Sequence, residues 1–349
     1  MKEVYTAETV RTSGGRRLMG VEWVVTLHAA SAEAGEEAVR AALDEVERLD
    51  AILSDYRPDT ELSRLSAASP TPRPVPVGDD LWEVLVRAVA VRDASDGAFD
   101  PTVGPLTALW RQARKSGVLP TARRLAEALA ATGPETLRLV EDERSVALLR
   151  PGMRLDLGGI GMGFAIDRAL ALLRDRGVTA ALIDASGDVG ASGPPPGSPA
   201  WRIAVDPIPG RLPASTGRVA LARAAITTSG DARQAVSIGG RRYSHIVDPR
   251  TGIGVHGPAA VTVIAPDATA ADALATAASV LGPVRGRTLL ENQAGCAGRF
   301  VVVDGGAGEA DEVVREVLTS RWPDAGVGAG PVRDATPAAP LRRAVTPRP

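Results

Sequence analysis

The chain has only three histidines, and His245 stands in a run that could move a proton: Tyr243-Ser244-His245-Ile246-Val247-Asp248-Pro249-Arg250-Thr251-Gly252. A neutral imidazole is suited to general-base work near neutral pH. Asp248 is a second proton-handling candidate, although an aspartate before Pro249 and Arg250 also suits a turn cap paired with the arginine. A third candidate, Asp156, precedes four glycines in Asp156-Leu157-Gly158-Gly159-Ile160-Gly161-Met162-Gly163. Glycines there let backbone N–H groups approach a ligand, and a following helix N-terminus favours an anion. Finally, Asp272 and Thr276 are four apart in an apolar helical run, so they share one face. A carboxylate and a hydroxyl stacked this way offer two hard oxygens to a Mg²⁺ that keeps other positions for water and phosphate.

Each feature has a plainer reading. His245 could be a surface histidine at a strand end, the glycines a tight strand-to-helix turn, and Asp272 an exposed acid beside a threonine bonded to its own helix. The glycine spacing does not make a dinucleotide fold. A Rossmann site puts its glycines in the first βα turn with an acidic residue about 20 positions later, whereas here the aspartate comes first and the glycines lie mid-chain.

The elements that must position these residues can be read from periodicity. Residues 234–238 and 241–247 read as a hairpin about Gly239-Gly240, with His245 near the exit of its second strand. Residues 21–29 alternate as a strand, and 34–53 carry an apolar stripe on a helix capped by Ser31. Further helices are expected at 79–94, 120–131, 164–176 and 268–281. Further strands are expected at 180–184, 202–205, 218–221, 261–265 and 299–303. Strands and helices do not alternate regularly, which predicts an α+β fold with a mixed or antiparallel sheet.

Composition sets only broad limits. The 349 residues, 44% of them apolar, suffice for a large core, and a net charge of −2 gives no sign of a nucleic-acid surface. The single cysteine, Cys296, excludes an intrachain disulfide framework and a cysteine-based metal site. No run reaches the length of a membrane span, and no signal peptide or lipid-anchor cysteine is seen, so a cytoplasmic protein is expected. Residues 1–18 read as an N-terminal segment, 19–325 as a single domain, and 326–349 as a disordered Ala- and Pro-rich tail.

Taken in order, these motifs resemble the FAD:protein FMN transferase family, also called the ApbE family. Upstream matches are Met19-Gly20, placed before the first strand, the run from Ser54-Asp55-Tyr56 to Leu65, and Gly97-Ala98-Phe99-Asp100-Pro101-Thr102 continuing to Trp110. Gly187-Asp188-Val189 and Thr228-Ser229-Gly230-Asp231 follow downstream. The resemblance implies two intertwined lobes with flavin between them, and Mg²⁺-dependent transfer of FMN from FAD to a Thr or Ser hydroxyl of an acceptor flavoprotein, releasing AMP. It implies metal ligands in Asp272, Thr276 and the backbone carbonyl near Gly159. Flavin contacts are implied at Met19, Tyr56, Ala98, Phe99, Asp100, Asp156 and Ile246, with Tyr56 and Phe99 offering flat surface to rings.

The chain also departs from the pattern. Met162 stands where the family usually has lysine in a Gly-Ile-Ala-Lys-Gly run, which removes a positive contact to the ligand. Asp184-Ala185-Ser186-Gly187-Asp188 replaces an Asn-Leu-Gly-Gly-Asp run and adds a carboxylate, and Ala232 replaces a frequent aromatic. Two other readings stand beside the transferase: a Mg²⁺-dependent FAD pyrophosphatase, in which water replaces the protein hydroxyl at the same site, and, because of Met162, a catalytically weak FAD-binding homologue.

Overall fold

A computed structural model describes residues 9–206, 217–230, 236–239, 241–255, 260–304 and 313–323. An eight-stranded sheet runs through it. The hairpin of β1 (Val10–Leu18) and β2 (Val21–Ala29) forms one edge. Across the sheet follow β6 (Ala180–Ala185), β7 (Asp188–Ala191), β10 (Ala224–Gly230), β13 (Ala260–Ala265), β14 (Ala297–Asp304) and β15 (Val313–Leu318). Every neighbouring pair is antiparallel, in agreement with the expected α+β class.

β2 illustrates why the sheet has a helical side. Its alternation points Trp23, Val25 and Leu27 inward, each fully buried, and the Trp23 indole donates to the Leu18 carbonyl at 3.1 Å. Against that face pack α1 (Ala32–Leu53), α6 (Gly161–Asp175) and α7 (Ala268–Glu291). α1 buries Val39, Leu43, Val46, Leu49 and Leu53, and the Ser31 hydroxyl caps it by accepting from the Ala34 N–H. Each such side chain contributes roughly 1.5–3 kcal/mol when fully buried. α7 can lie deep because its first half is mostly alanine, and it breaks at Gly282 and Pro283, where the expected helix ends. Asp167 of α6 accepts from the Ala268 and Thr269 N–H groups and the Thr269 hydroxyl, locking the two helices together.

The remaining elements lie around this core. α2 (Glu61–Ala67), β3 (Val75–Pro76), α3 (Asp79–Ala94), α4 (Gly104–Ser116), α5 (Ala122–Ala130), β4 (Leu137–Val140) and β5 (Ser145–Leu148) fall between β2 and α6. The β8 (Trp201–Ala204) and β9 (Arg218–Leu221) hairpin covers part of the sheet's other face, where Trp201, Val219 and Leu221 meet Val189, Ile226 and Ile264.

Two expectations need correction. Met19-Gly20 does not precede the first strand. It is the turn between β1 and β2, with φ of 49° and 83°, and the segment before it supplies β1. Such a two-residue left-handed turn matches the twist of a hairpin. β1 escapes sequence reading because its two glycines and three arginines hide the alternation. Likewise, β11 (Val236–Ile238) pairs with a β12 (Arg241–Tyr243) that stops at Tyr243, so His245 lies in a loop beyond the strand. The Ser244 hydroxyl accepts from the Ile246 N–H at 3.1 Å and turns the chain there. Among the described residues no helix is long and apolar enough to cross a membrane. The 326–349 tail, Asp231, Ala232 and His256 lie outside the described residues.

Candidate active site

A cleft of about 1300 Å³ opens beside the helical layer, between the ends of β6, β7 and β10, the starts of α6 and α7, and α4 with the histidine loop. Met19, Tyr56, Ala98, Phe99, Asp100, Asp156, Gly159, Met162, His245, Ile246, Asp272 and Thr276 all line it. These residues come from segments far apart in sequence, so the fold brings together almost the whole expected set. Asp248 is not in the lining. Its carboxylate accepts from the backbone N–H and the guanidinium of Arg250 at 2.8–2.9 Å, which makes it a turn anchor.

Asp272 sits at the closed end. It is 5% exposed, and its Oδ2 accepts from the Gly163 N–H at 3.1 Å. Burial raises its pKa to about 7, against the opposing Gly163 hydrogen bond and with the charge of Asp167 adding to the rise. Asp188 is nearby and equally buried, and its pKa stands well above the ordinary carboxylate value, through burial first and then the charge of Asp272. Two buried acids crowded in this way favour a cation or a shared proton. Thr276 lies one turn further along α7, and a Cβ at Gly159 would fall 2.8 Å from its Oγ1, so only glycine lets that backbone pass. Among the described residues no three His, Cys, Asp or Glu side chains converge as a metal cage. The side-chain donors at hand are instead a carboxylate and a hydroxyl, both hard oxygens, which suit Mg²⁺ with much of its shell left to water and phosphate.

Gly163 is pinned as closely. A Cβ there would lie 2.2 Å from the Ala268 carbonyl oxygen and 2.9 Å from the Asp272 Cβ. Gly163→Ala is therefore expected to cost about 1–3 kcal/mol in urea unfolding and to pry α6 from α7 beside Asp272. A variant as stable as the wild type would show that this contact yields freely.

His245 is largely buried, and its Nδ1 has no hydrogen-bond partner among the described residues. Burial first, and then the charge of Arg114, push its pKa down from 6.5 to about 4. It is therefore neutral throughout the physiological range. The unfolded chain takes up this proton at a higher pH than the folded one does. The neutral histidine's contribution to stability is thus complete above pH 6.5 and lost as pH falls towards 4. Wild-type protein should lose on the order of 3 kcal/mol in that window that His245→Asn does not lose, measured by urea unfolding at several pH values. Parallel profiles would place the histidine in water.

Asp156 is tied down. Its Oδ1 accepts from the Gly158 N–H at 2.8 Å, and its Oδ2 accepts from the Thr107 hydroxyl at 2.7 Å and from Arg111 at 3.0 Å. That arrangement fixes the glycine turn and engages both carboxylate oxygens in hydrogen bonds. Asp100 is similarly occupied, its Oδ1 accepting from both the N–H and the hydroxyl of Thr102. Phe99 is 4% exposed and backs Gly159 more than it offers a face, whereas Tyr56 is 75% exposed. Trp110 donates to the Gly252 carbonyl at 2.8 Å and its ring lies 5.0 Å from Tyr243, so α4 braces the histidine loop.

Sequence reasoning missed Arg111 and Arg114, which line the cleft from α4, and passed over Asp188 as a ligand although its motif was noted. The available signal was the spacing of Thr107, Trp110, Arg111 and Arg114 along one helical face.

A sequence model of the ApbE family matches residues 19–300. A Klebsiella pneumoniae protein named FAD:protein FMN transferase is 32% identical over 297 residues, covering 83% of each chain. A Treponema pallidum protein of the same name is 33% identical over 311 residues, covering 81% of this chain and 84% of its own. The crystal structure of the apo form of Pseudomonas stutzeri flavinyl transferase ApbE superposes with a TM-score of 0.77 at 31% identity, covering 89% of this chain and 95% of that one.

Proposed function

The chain belongs to the ApbE family, and from that premise we propose that it is a Mg²⁺-dependent FAD:protein FMN transferase, joining FMN to a Thr or Ser hydroxyl of an acceptor flavoprotein and releasing AMP. The observation that carries this reading is Asp272, a carboxylate buried on an alanine-rich helix beside Thr276 and the glycine turn. A charge held there without a cation is costly, so a site that keeps it has a use for one. The cleft exceeds the roughly 300–1,000 Å³ usual for drug-sized ligands, as a dinucleotide requires.

Within this reading each residue has a task. Asp272, Thr276 and the Gly159 carbonyl would hold Mg²⁺, with Asp188 as a further carboxylate within reach. When bound, Mg²⁺ neutralises pyrophosphate charge and acts as a Lewis acid at the phosphoryl group. His245 takes the proton of the acceptor hydroxyl as its oxygen bonds to the phosphorus of the FMN half. The bond from that phosphorus to the bridging oxygen breaks, and AMP leaves with the electron pair. Asp156 holds the glycine turn in place through Gly158, and Tyr56 offers a face to a ring of FAD.

Mass spectrometry of a candidate acceptor after incubation with this protein, FAD and Mg²⁺ tests the proposal. An FMN-sized adduct on a Thr or Ser is expected. Free FMN and AMP with an unmodified acceptor would replace it with FAD hydrolysis, and unconsumed FAD would leave a binding protein.

A further inference from the structure

Tyr56 is the most exposed aromatic side chain noted in the cleft, yet one face of its ring is already covered. The Arg111 guanidinium carbon lies 4.3 Å from the ring centroid. At an exposed site such a contact is weak, and by itself too little to fix a mobile ring. Arg111, however, is held at its other edge. Its Nη1 donates to Asp55, the residue beside Tyr56, and its Nη2 donates to Asp156 at 3.0 Å. Arg154 reinforces the same corner by donating to the Asp55 backbone carbonyl. Asp156 in turn accepts from the Gly158 N–H. One guanidinium therefore serves two surfaces at once: its edge joins two carboxylates, and its face lies on the tyrosine. Only arginine has the planar, multiply donating group that permits both.

We infer that Arg111 is a positioning residue that holds the Tyr56 ring as a preformed platform for a planar ring of the FAD substrate, in register with the glycine turn at the phosphate end. This rests on the FAD reading above. A tyrosine already ordered by Arg111 loses less freedom when a ligand ring stacks on it, and that saving becomes affinity. The distance from platform to glycine turn is set by the Arg111–Asp156 pair, so ring and pyrophosphate are located by one chain of contacts. A merely structural ion pair would join the loops without depending on Tyr56.

A double-mutant cycle separates the two. FAD is titrated by flavin fluorescence against the wild type, Arg111→Gln, Tyr56→Ala and the double variant, with thermal unfolding as a check on folding. Arg111→Gln and Tyr56→Ala are each expected to weaken FAD binding by about tenfold, and the double variant to be little weaker than Tyr56→Ala alone. Arg111→Lys keeps a cation beside Asp55 and Asp156, and covers the case in which Arg111→Gln is poorly folded. It should stay folded yet bind FAD about as weakly as Tyr56→Ala. Losses that multiply in the double variant, or wild-type FAD affinity in Arg111→Lys, overturn the inference. A wild-type protein that does not bind FAD at all would instead overturn the FAD reading itself, so the two failures are told apart.

Discussion

Asp272→Ala is expected to lower Mg²⁺-dependent FMN transfer by about a thousandfold, the rate equivalent of ~4 kcal/mol. It removes the one charged group that α7 points into the closed end of the cleft. The fold should survive. The change leaves the Gly163 N–H without its acceptor, a cost of about 1–3 kcal/mol, but it also removes a buried carboxylate that the interior disfavours. Turnover measured across a Mg²⁺ titration, alongside thermal unfolding, checks this. Near-normal turnover at any Mg²⁺ concentration would remove Asp272 from the proposed metal site. Thr276→Ala should lose only about tenfold, because water can replace a neutral hydroxyl in the shell of the ion.

Met162→Lys should have the opposite sign, tightening FAD binding or raising turnover by about tenfold to a hundredfold. Met162 lines the cleft at the start of α6 and is only partly buried, so a longer side chain has somewhere to go. Asp184 lines the same cleft and offers a carboxylate partner, so an ammonium group there is not stranded. A charge-assisted contact to phosphate then adds about 1.5–3 kcal/mol. Flavin-fluorescence titration of both proteins decides the matter. Weaker FAD binding by the variant would mean that the pocket is built around an apolar side chain at this position.

The residues of the candidate site were more legible in the sequence than the sheet that carries them. Asp272 and Thr276 could be read because helical spacing fixes which residues share a face, and the glycine turn because four glycines in six positions have few other uses. β1 and β15 were not legible, since edge strands rich in arginine, glycine and glutamate lack a clear alternation. Nor was α4 among the expected helices, although Pro105 suits the first turn of one. With α4 unseen, Arg111 and Arg114 had no face to share, and the network around Asp156 could not be anticipated. Asp156 looked like a base from its neighbours in sequence. Only the three-dimensional positions of Thr107 and Arg111 reveal how fully its oxygens are committed.

The placement of β2 beside β6 has a consequence for how the protein is made. A ribosome delivers the β1–β2 hairpin early, but the strand that must sit against the inner edge of β2 does not exist until Ala180 to Ala185 have been synthesised. During that interval Val21–Ala29 presents an apolar strand with one row of backbone donors and acceptors unpaired, the kind of edge that recruits other chains. α1 emerges next and can shield the face bearing Trp23, Val25 and Leu27, but not the open edge. Yield in a heterologous host should therefore depend on slow translation and on holdase chaperones acting before the second half of the chain appears.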